Sequence, residues 1–291
     1  MIPRFALARP RSLMEAFDAF EASGGDAAWL AGGTELLQVM KMGLAQFGTL
    51  IDIKAVPDLR GLEQTTDGGL RIGALTTHRE LERSSLVGEA LPGLAALEAR
   101  VANVRVRNTG TIGGNLAFAE PHSDPATFLL ACDATVRLVG PRGRRELGIG
   151  EFVQGPLSTA READELLVDI AVPPRAAATG RAYEKIAFFE RPAASVAVRL
   201  SVVDGAIGEA TIAVGSLTEV PTLVPDGAAA FRGTEARPEA LAAPVRAAVE
   251  AFGGLDVVAD LNGSADYKRH LAGILLAQAA QRALTEATAH A

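Results

Sequence analysis

Val106-Arg107-Asn108-Thr109-Gly110-Thr111-Ile112-Gly113-Gly114-Asn115-Leu116-Ala117 places three glycines within five positions, framed by hydroxyl and amide side chains. Asn108 to Asn115 reads as a loop. Glycines let a ligand approach the main chain without a Cβ clash, and unpaired N–H groups at such a turn attract phosphate. Upstream, Ala27-Ala28-Trp29-Leu30-Ala31 reads as a short buried strand, Gly32-Gly33-Thr34 as a tight turn, and Glu35 to Met42 as a helix stopped by Gly43. That turn joins a strand to a helix N-terminus, where the helix dipole adds to the pull on an anion. Either segment alone is an ordinary turn; together they can grip one diphosphate from opposite sides. Neither follows GxGxxG or GxxxxGK[ST], which disfavours a Rossmann site and a P-loop.

Outward from these segments, the start of the chain reads as a β-turn-α-β unit. Leu13, Ala16, Phe17 and Phe20 recur at helical spacing within Ser12 to Ala22, and Thr49 to Ile53 returns as a strand. Leu70 to Ala74 alternates as a strand, and Thr77 with Glu80 forms a capping box for a short helix. Pro92 to Val101 predicts a helix with Leu94, Leu97 and Val101 on one face. Asp124 and Pro125 open another, with Asp124 as N-cap. Thr135 to Val139, Arg145 to Ile149 and Leu166 to Val172 are strand-like. Pro173-Pro174 through Gly180 lacks periodicity and marks a boundary. Beyond it, Ser195 to Val203 and Ala206 to Val214 alternate around Asp204-Gly205, a hairpin signal. Ala265 to Thr285 reads as an amphipathic helix with Leu271, Ile274, Leu275 and Gln278 on its stripe. Strands followed by helices, with few βαβ repeats, argue an α+β fold.

The 291 residues suggest about two domains, and the mix of 48% apolar and 22% charged residues is that of a globular protein. A net charge of −7 offers no attraction to nucleic acid or an anionic membrane. The single cysteine, Cys132, excludes an intrachain disulfide, a CxxC zinc site and an iron–sulfur cluster held by this chain alone. It sits in an apolar run and reads as a small buried hydrophobe. Arg4, Pro10, Glu15 and Asp18 break up any signal-peptide core, and no stretch of about 18 apolar residues occurs. A cytoplasmic chain without an integral membrane segment is therefore expected. Of the histidines, His78 and His290 read as solvent-facing and His270 as lying at a helix's polar edge; His122 alone lies near a candidate site. No spacing matches a metal-ligand set, and no nucleophile–base pattern occurs.

The two glycine segments, with Leu70-Arg71-Ile72-Gly73-Ala74-Leu75-Thr76-Thr77 between them, resemble in order and content the FAD-binding medium subunit of the molybdenum hydroxylases, the carbon monoxide dehydrogenase and xanthine dehydrogenase family. The resemblance continues through Ser123-Asp124-Pro125-Ala126, Asp164-Glu165-Leu166-Leu167 and Tyr183-Glu184-Lys185, and so covers essentially the whole chain. It implies a two-lobed FAD-binding domain of the PCMH type over 1–175, with lobes of about 1–57 and 58–175. A C-terminal domain over 180–288 follows, with a three-stranded antiparallel sheet and helices.

By the same resemblance, Ala31, Gly32, Gly33, Thr34, Glu35 and Leu36 form the first pyrophosphate loop. Thr111, Ile112, Gly113, Gly114 and Asn115 form the second, beneath the diphosphate and near the flavin ring. Asp124 matches an acidic residue that contacts FAD hydroxyls, Leu167 an apolar cofactor contact, and Lys185 a basic residue near the flavin. On pattern alone these would be a helix cap, a core residue and a solvated charge. Val101 stands where some relatives carry an aromatic cofactor contact, so that contact is lost or altered here. Pro192-Ala193-Ala194-Ser195 replaces an acidic or aromatic residue often found in relatives, and no cysteine-bearing insertion is present. The implied role is electron transfer. A large partner subunit would hold molybdopterin and a small one [2Fe-2S] clusters, which deliver electrons to FAD on this chain and onward to an external acceptor. The complex would be a dimer of heterotrimers, and obligate assembly predicts an exposed apolar patch. Two other readings are a self-sufficient flavin reductase or oxidase on this fold and a cofactor-free scaffold.

Overall fold

The computed structural model describes residues 2–188 and 191–289, so His290 lies outside the described residues. Three parallel strands open the fold, in the order Ala6–Ala8, Thr49–Asp52, Ala27–Leu30. Parallel neighbours need crossovers, and the helices Leu13–Ala22 and Leu36–Lys41 lie in them. Ser12 starts the first helix by accepting the N–H of Glu15. Ala6–Ala8 is absent from the sequence reading; three residues are too few for an alternating pattern to register.

A second sheet is antiparallel throughout, in the order Leu62–Gln64, Leu70–Gly73, Leu166–Val172, Thr135–Gly140, Gly143–Gly148. Its central strand, Leu166–Val172, is buried along nearly its whole length. Leu167 and Ile170 enter one core with Ile72, Leu116 and Phe128. Leu166 and Val168 enter a second core with Ile51, Leu59 and Leu75. This strand therefore binds the first sheet to the second. The capping box forms as expected: Thr77 and Glu80 exchange hydrogen bonds at the start of His78–Arg83.

The C-terminal domain carries the antiparallel strands Thr179–Ala187, Pro192–Val203 and Ala206–Gly215, with Asp204 (φ +51°) and Gly205 (φ +75°) turning the last hairpin. A fourth strand of two residues, Thr222–Leu223, pairs with Val214 and Ala213 and enlarges the expected three-stranded sheet. The helix Ala265–Ala289 lies across this sheet. Its buried stripe runs through Leu271, Leu275, Ala279, Ala283 and Ala287, with Ala272, Leu276 and Ala280 beside it. Ile274 and Gln278 face out, correcting the sequence reading. The alanines decide the face, because only small side chains admit the helix this close to the sheet. None of the described helices is long and apolar enough to cross a membrane.

Gly180 marks the closest approach: a Cβ there would stand 1.8 Å from the carbonyl oxygen of Ala283. Overfilling such a backbone contact costs about 1–3 kcal/mol or more. Gly180→Ala is expected to lower the unfolding free energy measured in urea titrations by at least that amount, whereas Gly205→Asn, at an open turn, should leave it nearly unchanged.

Candidate functional site

The two glycine segments meet. A Cβ on Gly32 would lie 2.3 Å from the carbonyl oxygen of Thr109 and 2.8 Å from Gly110 Cα, so only glycine lets the main chains touch. Gly33 turns the first segment at φ +73°. A Cβ on Gly114 would come within 3.7 Å of Ala31 Cβ, and one on Gly110 within 3.4 Å of the Thr34 hydroxyl. Lys54 ties the junction down by donating to the Ala31 carbonyl (3.3 Å) while pairing with Asp52 (2.8 Å).

The second segment is not a loop. Val104–Thr109 and Ile112–Phe118 are helices with the chain broken only around Gly110, and Thr111 caps the second by accepting the N–H of Gly114 at 3.1 Å. The glycines that suggest a loop instead serve close packing: a Cβ on Gly113 would stand 2.5 Å from Ala74 Cβ. The segment's N–H groups are largely engaged. Ile112 donates to Thr76 (3.0 Å), Gly113 to Ala74 (3.0 Å) and Asn115 to Thr111 (2.9 Å). In the first segment, by contrast, the N–H groups of Gly32, Gly33 and Thr34 have no acceptor among the described residues. One segment thus offers donors; the other offers a bare wall. At its end Ser123 donates to Asn115 Oδ1 (2.6 Å), which leaves the amide NH2 without a partner among the described residues.

Asp124 is the first residue of the helix Asp124–Ala131, and Ser123 occupies the cap position, correcting the sequence reading. Its carboxylate is held by two side chains of the strand Thr179–Ala187. Tyr183 donates to one oxygen at 2.5 Å and Lys185 to the other at 2.5 Å, with Lys185 also donating to the Arg100 carbonyl at 2.9 Å. The Lys185 side chain is buried, unlike a solvated surface charge. Burial pushes the Asp124 carboxyl up while the Lys185 ammonium opposes that shift, and burial beside Asp124 drives the Tyr183 phenol well above its ordinary value. Val101, Ile112 and Leu167 join Tyr183 in one buried core behind this group.

His78 is buried, not solvent-facing. Its N–H donates to the Gly110 carbonyl (3.1 Å) and its ring nitrogen Nδ1 lies 2.6 Å from the fully buried Glu98. Burial pulls the ring's pKa down, but the Glu98 carboxylate lifts it above the ordinary value. The pair braces the break between the two short helices from behind. A helix-start position gave no hint of this, because the partner lies on another helix. Beside the junction opens a cavity of about 650 Å3 lined by Lys54, Arg60, Thr77, Arg83, Asn108 and Thr109. Cys132 is buried and its thiol is pushed up to about 12 by burial, so it is no nucleophile.

His122 has its ring between two carboxylates. Its two ring nitrogens lie 2.9 Å from Glu120 and 2.9 Å from Asp260 of the C-terminal domain. Arg191 approaches Glu120 (3.5 Å) and Glu35 (4.0 Å). Tyr183 and Arg191 are site components that the sequence reading passed over. The tyrosine's place in Tyr183-Glu184-Lys185, with alternation aiming positions 183 and 185 to one face, was the available signal.

Removing one partner of a buried ion pair costs about 3–5 kcal/mol, because the other charge stays buried. Asp124→Ala is expected to lower unfolding free energy by that amount in urea titrations, and the double variant Asp124→Ala/Lys185→Met should recover at least half of the loss.

Comparison with known proteins places this geometry. Residues 3–175 match the family described as FAD binding domain in molybdopterin dehydrogenase, and residues 190–283 match the CO dehydrogenase flavoprotein C-terminal domain. The chain is 35% identical over 289 residues to the carbon monoxide dehydrogenase medium chain of Hydrogenophaga pseudoflava, covering 99% of this chain and 98% of that one. It is 33% identical over 288 residues to the nicotine 6-hydroxylase medium subunit of Paenarthrobacter nicotinovorans, covering 99% of both. The solved carbon monoxide dehydrogenase from Hydrogenophaga pseudoflava contains a chain of the same shape, with a TM-score of 0.91 at 35% identity over 98% of this chain and 99% of that one. A chain with two meeting glycine segments, a five-stranded central sheet and this C-terminal domain belongs to the family of FAD-binding medium subunits of the molybdenum hydroxylases, of the carbon monoxide and xanthine dehydrogenase type.

Proposed function

We propose that this chain holds FAD across the junction of its glycine segments and passes electrons from [2Fe-2S] clusters of a small partner subunit to an external acceptor. A large partner would carry the molybdopterin centre, in a dimer of heterotrimers. The observation that carries the cofactor reading is the row of unclaimed N–H groups on Gly32, Gly33 and Thr34, opposite the side-chain-free surface at Gly114. A buried or half-buried N–H without an acceptor is costly, and a diphosphate supplies the acceptors. Bound FAD accepts and releases electrons; the protein binds, orients and tunes it.

In this reading Ala31, Gly32, Gly33, Thr34, Glu35 and Leu36 bind the diphosphate from one side. Thr111, Ile112, Gly113, Gly114 and Asn115 form the opposing wall, with the free Asn115 amide as a further donor. Asp124 meets FAD hydroxyls and Lys185 lies near the flavin, where its positive charge favours electron density on the neighbouring ring. Val101 and Leu167 contribute apolar surface from the core behind. The division into 1–175 and 180–288 belongs to the same proposal. Exposed Met42 and Leu44, each 70% accessible just after the helix Leu36–Lys41, are apolar surface of the kind an assembly covers.

The purified full-length chain is expected to be yellow and to release FAD on denaturation. A colourless chain that cannot be reconstituted with FAD would sink the reading in favour of a scaffold. Reduction by NAD(P)H with turnover of a small substrate, without partners, would favour a self-sufficient enzyme. Gly114→Val tests the placement. A Cβ there sits 2.9 Å from the Thr111 hydroxyl, so that helix cap must shift, a local cost that should leave the rest of the fold in place, as circular dichroism will show. FAD affinity should fall about a hundredfold, on the order of 2.7 kcal/mol. Gly113→Val, driven into Ala74, should instead unfold the protein, as circular dichroism will show.

A further inference from the structure

His122 lies in the stretch that follows the second glycine segment, and its ring stands between two carboxylates from different parts of the molecule. Glu120 belongs to the same stretch; Asp260 belongs to the C-terminal domain. Both contacts are 2.9 Å, and the ring is largely buried. A neutral imidazole carries one N–H, so it can donate to one carboxylate only and must turn a lone pair toward the other. Only the doubly protonated ring satisfies both. We infer that His122 is a positioning residue that clamps the C-terminal domain onto the stretch after the second glycine segment and so keeps the FAD cleft closed.

The neighbouring charges extend the clamp in both directions. Behind Asp260, the buried Lys268 of the helix Ala265–Ala289 donates to the same carboxylate oxygen and to the Ser216 carbonyl (3.0 Å). Behind Glu120, Arg191 at the start of Pro192–Val203 approaches that carboxylate at 3.5 Å and reaches Glu35 of the first glycine segment at 4.0 Å. The order Glu35, Arg191, Glu120, His122, Asp260, Lys268 alternates in sign throughout. Removing the positive charge at His122 leaves Glu120, held by Arg191 and the His122 backbone N–H, and Asp260, held by Lys268 and the Asn262 N–H, on either side of a ring that can donate to only one of them. The chain of contacts ends on Glu35, so loosening it acts on the segment proposed to grip the diphosphate.

The protonation of the ring agrees with this geometry. The hydrogen bond to Glu120 raises the His122 pKa, and Asp260 adds to that against the opposing effect of burial. Burial works to raise Asp260, yet hydrogen bonds from Lys268 and His122 bring it down to about 2, so that carboxylate stays charged through the range where the histidine titrates. Since the folded value of His122 lies above the ordinary one of about 6.5, the clamp contributes in full below that pH and is lost as pH rises through the folded value.

The inference rests on the FAD reading, and the test separates the two. FAD release from the full-length holo chain is followed by flavin fluorescence from about pH 6 to about pH 9. Release from the wild type should accelerate roughly tenfold across that range. His122→Gln should release FAD fast at every pH, and His122→Arg, with a permanent charge, should release it slowly without pH dependence. A glutamine variant that tracks the wild type at every pH overturns the inference. If the chain carries no FAD, the function proposal fails and amide hydrogen exchange of residues 119–123 decides. Protection that falls with rising pH in the wild type and stays low in His122→Gln supports the clamp; identical protection in both overturns it.

Discussion

The contact of Gly32 with the main chain of Thr109 and Gly110 is the constraint on which the site depends. No side chain mediates it, so no side chain can be exchanged to restore it if the segments part. Everything nearby is arranged to preserve this contact. Lys54 anchors Ala31 from below, His78 and Glu98 brace Gly110 from behind, and Thr111 fixes the start of the following helix. An ion pair sealed at the centre of the protein is a poor source of net stability, but it fixes geometry. His78 with Glu98, and Asp124 with Lys185, are placed where geometry matters most.

The two glycine segments divide their work. Their similarity in sequence suggests two equivalent phosphate cradles, yet their backbones are in opposite states. The first holds its N–H groups in reserve, while the second spends its own on Thr76, Ala74 and its own helix. The physical reason is local. A strand-to-helix turn leaves donors unpaired, whereas a helix laid against a sheet edge finds acceptors there. Glycine serves close approach in both: Gly32 lets its segment touch the main chain of Thr109 and Gly110, and Gly113 lets its helix lie against Ala74.

Much of the fold was legible in the sequence, because its signals were local. The capping box at Thr77, the hairpin at Asp204-Gly205 and the strands Leu70–Gly73 and Leu166–Val172 all follow from residues adjacent in the chain. The readings that failed needed information from distant partners. His78 is buried by a glutamate on another helix, Asp124 is engaged by a strand of the C-terminal domain, and the long helix buries alanines because of the sheet beneath it. Ala6–Ala8 escaped notice because pairing with Thr49–Asp52, not its own composition, makes it a strand. The membership of the family was legible from the ordered motifs; the burial of Lys185 was not, since a lone lysine in a strand gives no sign of a carboxylate waiting opposite it.

The strand Leu166–Val172 contributes alternate side chains to two cores, one beneath the first glycine segment and one behind the second. Neither half can melt while the other stays intact, since withdrawing this strand empties both at once. The two glycine-bearing halves therefore unfold as a single cooperative unit, so the cleft between them can loosen without either half losing its core.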